Sequence, residues 1–416
     1  MLVTAAKPVQ IKMPRPHTNQ QVMLDCVRKG ISVVAFCGRR FGKTQVAVYA
    51  ILQAATSKVG LYWWVGLSWR SASLKRAWRL LKLYVRQIWR GLGIKPDKNI
   101  READKELYLP NGSSIWLRTA ERPDSLAGEG LRGVVLDEFS LMDEIVWTEY
   151  IEATLLDYPD SWALFIGVPK GNNWAANLYR RAMIRKGWQA LHFTTYDNPF
   201  MSKERIDEIK ANVTEALFAQ EYMAEITADA GAVFRGVDKV LTVPKGLKPV
   251  EGHRYAFGVD WGKEHDYTAI VVIDTTTRQV VAIDHFNQIS WQLQRGRLRA
   301  LYDQWQPAVI IAEHNSIGGP NIEALQGEGL PVQSFITNGS SKPPLIEGLA
   351  LAIERGEIGL INEPKLVNEL QAYTMERMPS GSFRYNAPSG MHDDLVIATA
   401  LAWQASYGRT HRSDSW

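Results

Sequence analysis

Among the carboxylates at the end of an apolar run or the start of an apolar helix, six could do chemistry together: Asp137, Glu138, Asp260, Glu313, Asp393 and Asp394. An acid placed there projects from a fixed backbone into solvent, where it can bind a cation or move a proton. The first two follow Gly133-Val134-Val135-Leu136. Upstream, Gly38-Arg39-Arg40-Phe41-Gly42-Lys43-Thr44 lies between an apolar run at 31–36 and a helical stretch at 43–55. Backbone N–H groups of such a turn can cradle phosphates at the helix N-terminus. Lys43 then reaches the β- and γ-phosphates of ATP, and the Thr44 hydroxyl ligates Mg²⁺. Gly38, Arg39, Arg40 and Gly42 complete the candidate cradle. A glycine is usual five residues before the Gly-Lys pair, but Cys37 stands there. Asp137 is the candidate partner of that Mg²⁺, and Glu138 the group that polarises an attacking water. Each motif alone also reads as an ordinary glycine turn or a solvated strand end.

The other four acids fall in the second half. Asp260 ends Phe257-Gly258-Val259, Glu313 ends Val309-Ile310-Ile311-Ala312, and Asp393-Asp394 opens Leu395-Val396-Ile397-Ala398. Acids from separate elements can converge, and an all-carboxylate cluster suits two hard divalent ions, Mg²⁺ or Mn²⁺. One ion would generate hydroxide and the other would stabilise the leaving oxygen in phosphodiester cleavage. Taken singly, Asp393 also reads as a helix cap, and Asp260 and Glu313 as plain strand ends.

The elements that must position these residues alternate. Strands are expected at 31–36, 61–65, 134–136 and 163–167, a long basic helix at 69–89, and a hairpin at 106–117 around Pro110-Asn111-Gly112. Helices follow from about Ser202 and Thr214. This is the order of a doubly wound α/β domain. After it, Gly231, Gly236, Pro244, Gly246, Pro249 and Gly252 suggest a linker over 231–252. Three successive strands at 255–260, 268–274 and 280–286 come next, then a helix at 291–305 and a strand at 308–313. Helices near Ile322, Leu345, Lys365 and Asp394 complete an RNase H-like order. The expected division is a P-loop ATPase domain over 1–230, the linker, and an RNase H-like (RuvC-like) nuclease fold over 253–416.

Composition bounds the rest. The 416 residues, 46% of them hydrophobic, are enough for two cores. A net charge of +4 is compatible with phosphate ligands without demanding them. Two cysteines, Cys26 and Cys37, exclude a disulfide framework and a cysteine-rich zinc site. The proline-broken first residues do not read as a signal peptide, and no apolar run reaches membrane-spanning length.

In the order of these motifs the chain resembles phage terminase large subunits along nearly its whole length. The likeness runs from Pro16-His17 through the phosphate loop and Asp137-Glu138. It continues through Gly167-Val168-Pro169-Lys170-Gly171-Asn172, Asp197-Asn198-Pro199, Gln220-Glu221-Tyr222 and the later acids, with 341–356 after the second nuclease acid. The resemblance implies a DNA-packaging ATPase joined to a metal-dependent endonuclease. It also implies double-stranded DNA, a portal protein and a small terminase subunit as partners. It implies a ring of five chains on the procapsid, work in the host cytoplasm, and no membrane. Glutamines just ahead of the first strand read adenine in related motor ATPases, which would give Gln20 that role; a solvated helix N-terminus is the plainer reading. The family places Ser or Thr before Pro-Lys-Gly, whereas this chain has Gly167-Val168. Arg122 and Arg132 both qualify as a trans-acting arginine finger, and Arg39 and Arg40 could touch phosphate. The basic helix, with Arg70, Lys75, Arg76, Arg79, Lys82, Arg86 and Arg90, and the trio Lys263, His265 and Lys342 are candidate DNA contacts. Two other readings compete: a helicase-like DNA-remodelling ATPase with a non-catalytic RNase H-like module, and a RuvC-like resolvase.

Overall fold

The computed structural model describes residues 11–227, 232–262, 267–314, 318–378, 383–388 and 390–407. Lys263 and His265 lie outside them. The chain divides into two compact units, chiefly Met1–Ala211 with Glu215–Ala230, and Gly231–Met378 with Phe383–Trp416. No helix among the described residues is long and apolar enough to cross a membrane.

The first unit carries strands β1 (Ser32–Cys37), β2 (Leu61–Gly66), β3 (Ile100–Arg101), β4 (Glu106–Tyr108), β5 (Ser114–Thr119), β6 (Gly133–Asp137), β7 (Trp162–Gly167) and β8 (Trp188–Phe193). They form one sheet in the order β3-β4-β5-β2-β6-β7-β1-β8, parallel from β5 to β8. Residues of β1, β6 and β7 are buried at every position, as strands covered on both faces must be. Its helices are α1 (Thr18–Arg28), α2 (Lys43–Ser57), α3 (Ala72–Gly91), α4 (Trp174–Ala182), α5 (Lys203–Lys210) and α6 (Glu215–Glu221). The basic helix starts at Ala72, not at 69, because the Ser71 hydroxyl donates to the Ser68 carbonyl at 2.8 Å and holds a turn ahead of it. Leu74, Trp78, Leu81, Val85 and Ile88 then bury one stripe. The edge strand β8 is absent from the sequence expectation, because its partly exposed residues show neither a continuous apolar run nor a clean alternation.

In the second unit α7 (Val237–Val240) precedes β9 (Tyr255–Asp260), β10 (Thr268–Asp274) and β11 (Gln279–Phe286). After α8 (Trp291–Trp305) come β12 (Val309–Glu313), α9 (Gly319–Gly327), β13 (Val332–Phe335), α10 (Lys342–Arg355) and α11 (Pro364–Ala372). The hairpin β14 (Thr374–Arg377) and β15 (Phe383–Asn386) leads to α12 (Asp394–Ser406). The sheet runs β11-β10-β9-β12-β13, with the first three strands antiparallel and β12 parallel to β9. Pairing of Ala312 with Val259 sets Glu313 beside Asp260. Helix α12 lies directly on β9, where a Cβ on Gly258 would stand 2.0 Å from the Ala398 carbonyl oxygen. Only glycine allows that approach, and the approach brings the first turn of α12 toward the strand ends.

The segment 231–252, expected as a linker, is largely part of this unit among its described residues. Val233, Phe234, Val237, Val240 and Val243 belong to its core, and Val233 N–H donates to the Tyr373 carbonyl at 3.1 Å. Its glycines and prolines shape turns between buried valines, and those turns read from sequence as flexibility.

Candidate functional site

The loop between β1 and α2 is held from behind. A Cβ on Gly38 would lie 2.2 Å from the Tyr222 carbonyl oxygen and 2.6 Å from the Thr195 nitrogen, so packing demands glycine at 38. Positive φ angles fall at Arg40 (64°) and Gly42 (99°). Cys37 therefore needs no glycine's freedom; it ends β1 fully buried, and burial pushes its thiol up to about 12. The Gly38 N–H donates to Phe193 and that of Arg39 to Glu221, both at 2.8 Å. The N–H groups of Arg40, Gly42, Lys43 and Thr44 have no acceptor among the described residues and surround the N-terminus of α2.

The motifs that carry the family resemblance converge on this loop. Thr195 Oγ1 donates to the Arg39 carbonyl at 2.7 Å, and Asn198 Nδ2 to the Arg40 carbonyl at 2.6 Å. Glu221 is 1% exposed and takes Arg39 Nε at 2.6 Å on one oxygen and the Lys170 ammonium on the other. The Arg39 guanidinium is thus engaged by a carboxylate, while the Arg40 side chain is exposed. Gln20 is buried: its Nε2 donates to the Gly42 carbonyl at 3.3 Å and its Oε1 accepts from His17 N–H at 3.2 Å. The expected adenine reader braces the loop.

Across β7 from the loop, Lys43 Nζ and Glu138 Oε1 stand 3.4 Å apart. Glu138 adopts a left-handed backbone (φ 60°, ψ 36°), and its N–H donates to Ile166 at 2.8 Å. Asp137 has no exposed surface, and neither of its oxygens is in good hydrogen-bonding geometry with a donor. Burial, then the Glu138 charge, raise its pKa to about 7 against the opposing pull of Lys43 and the Ser73 hydroxyl. A buried carboxylate left in this state fits a cation ligand. No hydroxyl stands at Gly167-Val168, but the Ser140 hydroxyl donates to the Val168 carbonyl at 2.6 Å and supplies one from the turn after Glu138. The two finger candidates part here. Arg132 is pinned by Asp160 at 2.9 Å and lies over Tyr158, whereas Arg122 is exposed in the loop after β5.

In the second unit Asp260, Glu313, Asp393 and Asp394 come together. Asp260 is 7% exposed; burial, a hydrogen bond and the charge of Glu313, then the charges of Asp394 and Asp393 hold its carboxyl well above the usual range. Lys342 Nζ lies 3.0 Å from Asp393 Oδ2, and the Tyr373 hydroxyl donates to that same oxygen at 3.1 Å. His392 Nδ1 is 3.7 Å from Asp394 Oδ2. Among the described residues no three potential ligands form a ready-made cage. The donor chemistry, all hard oxygen, nonetheless fits divalent cations. Sequence reasoning missed Glu369, whose Oε2 accepts the N–H groups of Leu395 and Val396 at 2.9 and 3.2 Å and anchors α12. Its only signal was an acid beside the buried Leu366 and Leu370 of α11.

Two family models match the chain. The family model described as terminase large subunit, T4likevirus-type, N-terminal matches residues 35–238, and the terminase RNaseH-like domain matches residues 257–405. The large terminase subunit of Thermus virus P23-45 is 31% identical over 316 residues, an alignment covering 70% of this chain. The chain spans 65% of that relative's length. The large terminase nuclease of thermophilic phage G20c, solved with bound magnesium, is 28% identical, with 42% of this chain and 97% of that one covered and a TM-score of 0.40. The large terminase of a second thermophilic bacteriophage shares the fold at 16% identity, with 94% of this chain and 99% of that one covered and a TM-score of 0.50. On the two family models and the Thermus virus relative, the chain belongs to the phage terminase large subunits.

Proposed function

We propose that the chain is an ATP-driven translocase for double-stranded viral DNA with a metal-dependent endonuclease in its second unit. The observation that carries this reading is the Lys43–Glu138 pair, 3.4 Å apart at the mouth of a loop with unclaimed N–H groups. Arg40, Gly42, Lys43 and Thr44 hold the phosphates through those groups, Lys43 adding its charge. Asp137 and Thr44 hold Mg²⁺, which when bound neutralises phosphate charge. Glu138 orients the attacking water and takes its proton. Ser140 ties the Glu138 turn to the end of β7, where Lys170 and Glu221 lead back to Arg39 in the loop. That circuit of contacts is our candidate for sensing hydrolysis. Arg122 is the better-placed finger for a neighbouring subunit, because Arg132 is already held.

In the second unit Asp260, Glu313 and Asp394 are the proposed ligands. Bound divalent ions would supply hydroxide and stabilise the leaving oxygen. Asp393 instead meets Lys342 and Tyr373 and would orient that lysine toward a phosphate. On α3, Lys75, Arg76, Arg79, Arg86 and Arg90 have no acidic partner among the described residues, whereas Lys82 is held by Glu102. That stripe suits the phosphates of a duplex, gripped without reading its bases. Family membership supports a ring of five chains on a portal, recruitment by a small terminase subunit, and work in the host cytoplasm.

The test is ATP turnover by wild type, Lys43→Ala and Glu138→Ala, alongside plasmid cleavage by wild type and Asp260→Ala in Mg²⁺ or Mn²⁺. Turnover should vanish in both loop-site variants, and cleavage in Asp260→Ala. A wild type that cuts no better than Asp260→Ala would favour the remodelling ATPase with a non-catalytic module.

A further inference from the structure

We infer that the ring of Phe200 is the platform on which the base of the bound nucleotide stacks; this rests on the nucleotide reading of the first unit. Phe200 is 77% exposed, the most exposed aromatic side chain among the described residues. Its position is fixed by the phosphate loop itself. The Asn198 side chain donates to the Arg40 carbonyl at 2.6 Å and accepts the Phe200 N–H at 3.0 Å, so one amide joins the two. The Phe200 ring lies 6.4 Å from the His17 ring, and His17 meets Phe41 edge-on at 5.1 Å while its Nε2 contacts the Phe41 carbonyl at 3.2 Å. Phe200 is therefore mounted on the loop's outer turn, at Arg40 and Phe41. Lys43 and Glu138 take the end where the bond to be broken must lie, so the nucleoside leaves on another side of the loop.

Gln20 spends one of its two N–H donors on the Gly42 carbonyl and one acceptor site on the His17 N–H, which ties its amide to the loop. The exposed ring on the rim offers stacking as a mode of recognition beside any edge contact. Stacking on an aromatic ring uses the π-face that every base has, so the ligand class is a nucleoside triphosphate with little selection between purines.

The test is calorimetric titration of the full chain, in Mg²⁺, with a non-hydrolysable ATP analogue and with inorganic tripolyphosphate as a base-free probe. Phe200→Ala should bind the ATP analogue about 10-fold more weakly and tripolyphosphate as wild type does, and Phe200→Trp should restore the loss. The inference is overturned if Phe200→Ala binds the analogue as tightly as wild type, or weakens for both probes alike. A wild type that binds neither probe overturns the nucleotide reading itself, and this inference with it.

Discussion

The phosphate loop presents donors, and the acid cluster of the second unit presents acceptors. The donors are backbone N–H groups whose partial charges arise from chain geometry, so they can be gathered without mutual repulsion. Thr195, Asn198, Gln20 and Glu221 brace that geometry from behind before any ligand arrives. The acceptors repel. Two unit charges 4 Å apart in a partly buried site cost about 4 kcal/mol. Burial, then the hydrogen bond and charge of Glu313, hold the Asp260 carboxyl well above the usual range, and Asp393 is held by Lys342. One site is braced as it stands around a single buried acid, whereas the other gathers four acids whose repulsion a divalent cation would offset.

Four measurements would break or sharpen this contrast. The largest effect is expected for Glu138→Gln, which should lower ATP turnover at least about 10²–10⁴-fold while nucleotide affinity, set by the preformed loop, stays within a few-fold. Loss of binding in that variant would show that Glu138 helps to build the loop. Next, Mg²⁺ should raise the melting temperature of the wild-type chain, by linkage worth about 2.7 kcal/mol at a hundredfold excess over Kd. Asp260→Asn should shrink that rise and abolish DNA cleavage; an undiminished rise would place the ions outside the Asp260 cluster. Asn198→Ala removes one brace on the loop and should weaken nucleotide binding several-fold, the effect of losing about 1 kcal/mol. An unchanged affinity would mean that the loop holds its shape unaided.

The smallest effect concerns His285, outside both sites. Burial, then the charges of Lys365 and His392, lower its pKa to about 4, and both ring nitrogens lack partners. Its folded-state value is below the ordinary 6.5, so the unfolded chain binds the proton more tightly. The contribution of neutral His285 is fully present above pH 6.5 and is lost as pH falls toward 4. Thermal melts across that window should show a shallower acid decline in His285→Phe; parallel curves would remove His285 from the account.

Much of this was legible in the sequence because long buried runs and local motifs have few alternatives. The strands 134–136 and 255–260 could hardly be anything else, and each carries an acid at its own end. What stayed hidden depends on contacts far apart in sequence. Gln20 read equally as a base reader or as a solvated helix N-terminus, since nothing local shows Gly42 lying against its amide. Arg39 and Arg132 looked free until Glu221 and Asp160 met them. At Gly167-Val168, which lacks a hydroxyl, the Ser140 hydroxyl donates to the Val168 carbonyl from the turn after Glu138. Glu369 had no motif at all, because anchoring α12 needs only one carboxylate in the right place.

The left-handed backbone at Glu138 also bears on how this protein would evolve. A side-chain-bearing residue in that conformation costs about 1–2 kcal/mol, and glycine or asparagine occupies it with less strain. Selection for heat resistance without selection for ATP turnover would therefore favour Glu138→Gly or Glu138→Asn. Lineages kept only for their durability would then lose the Lys43–Glu138 pair.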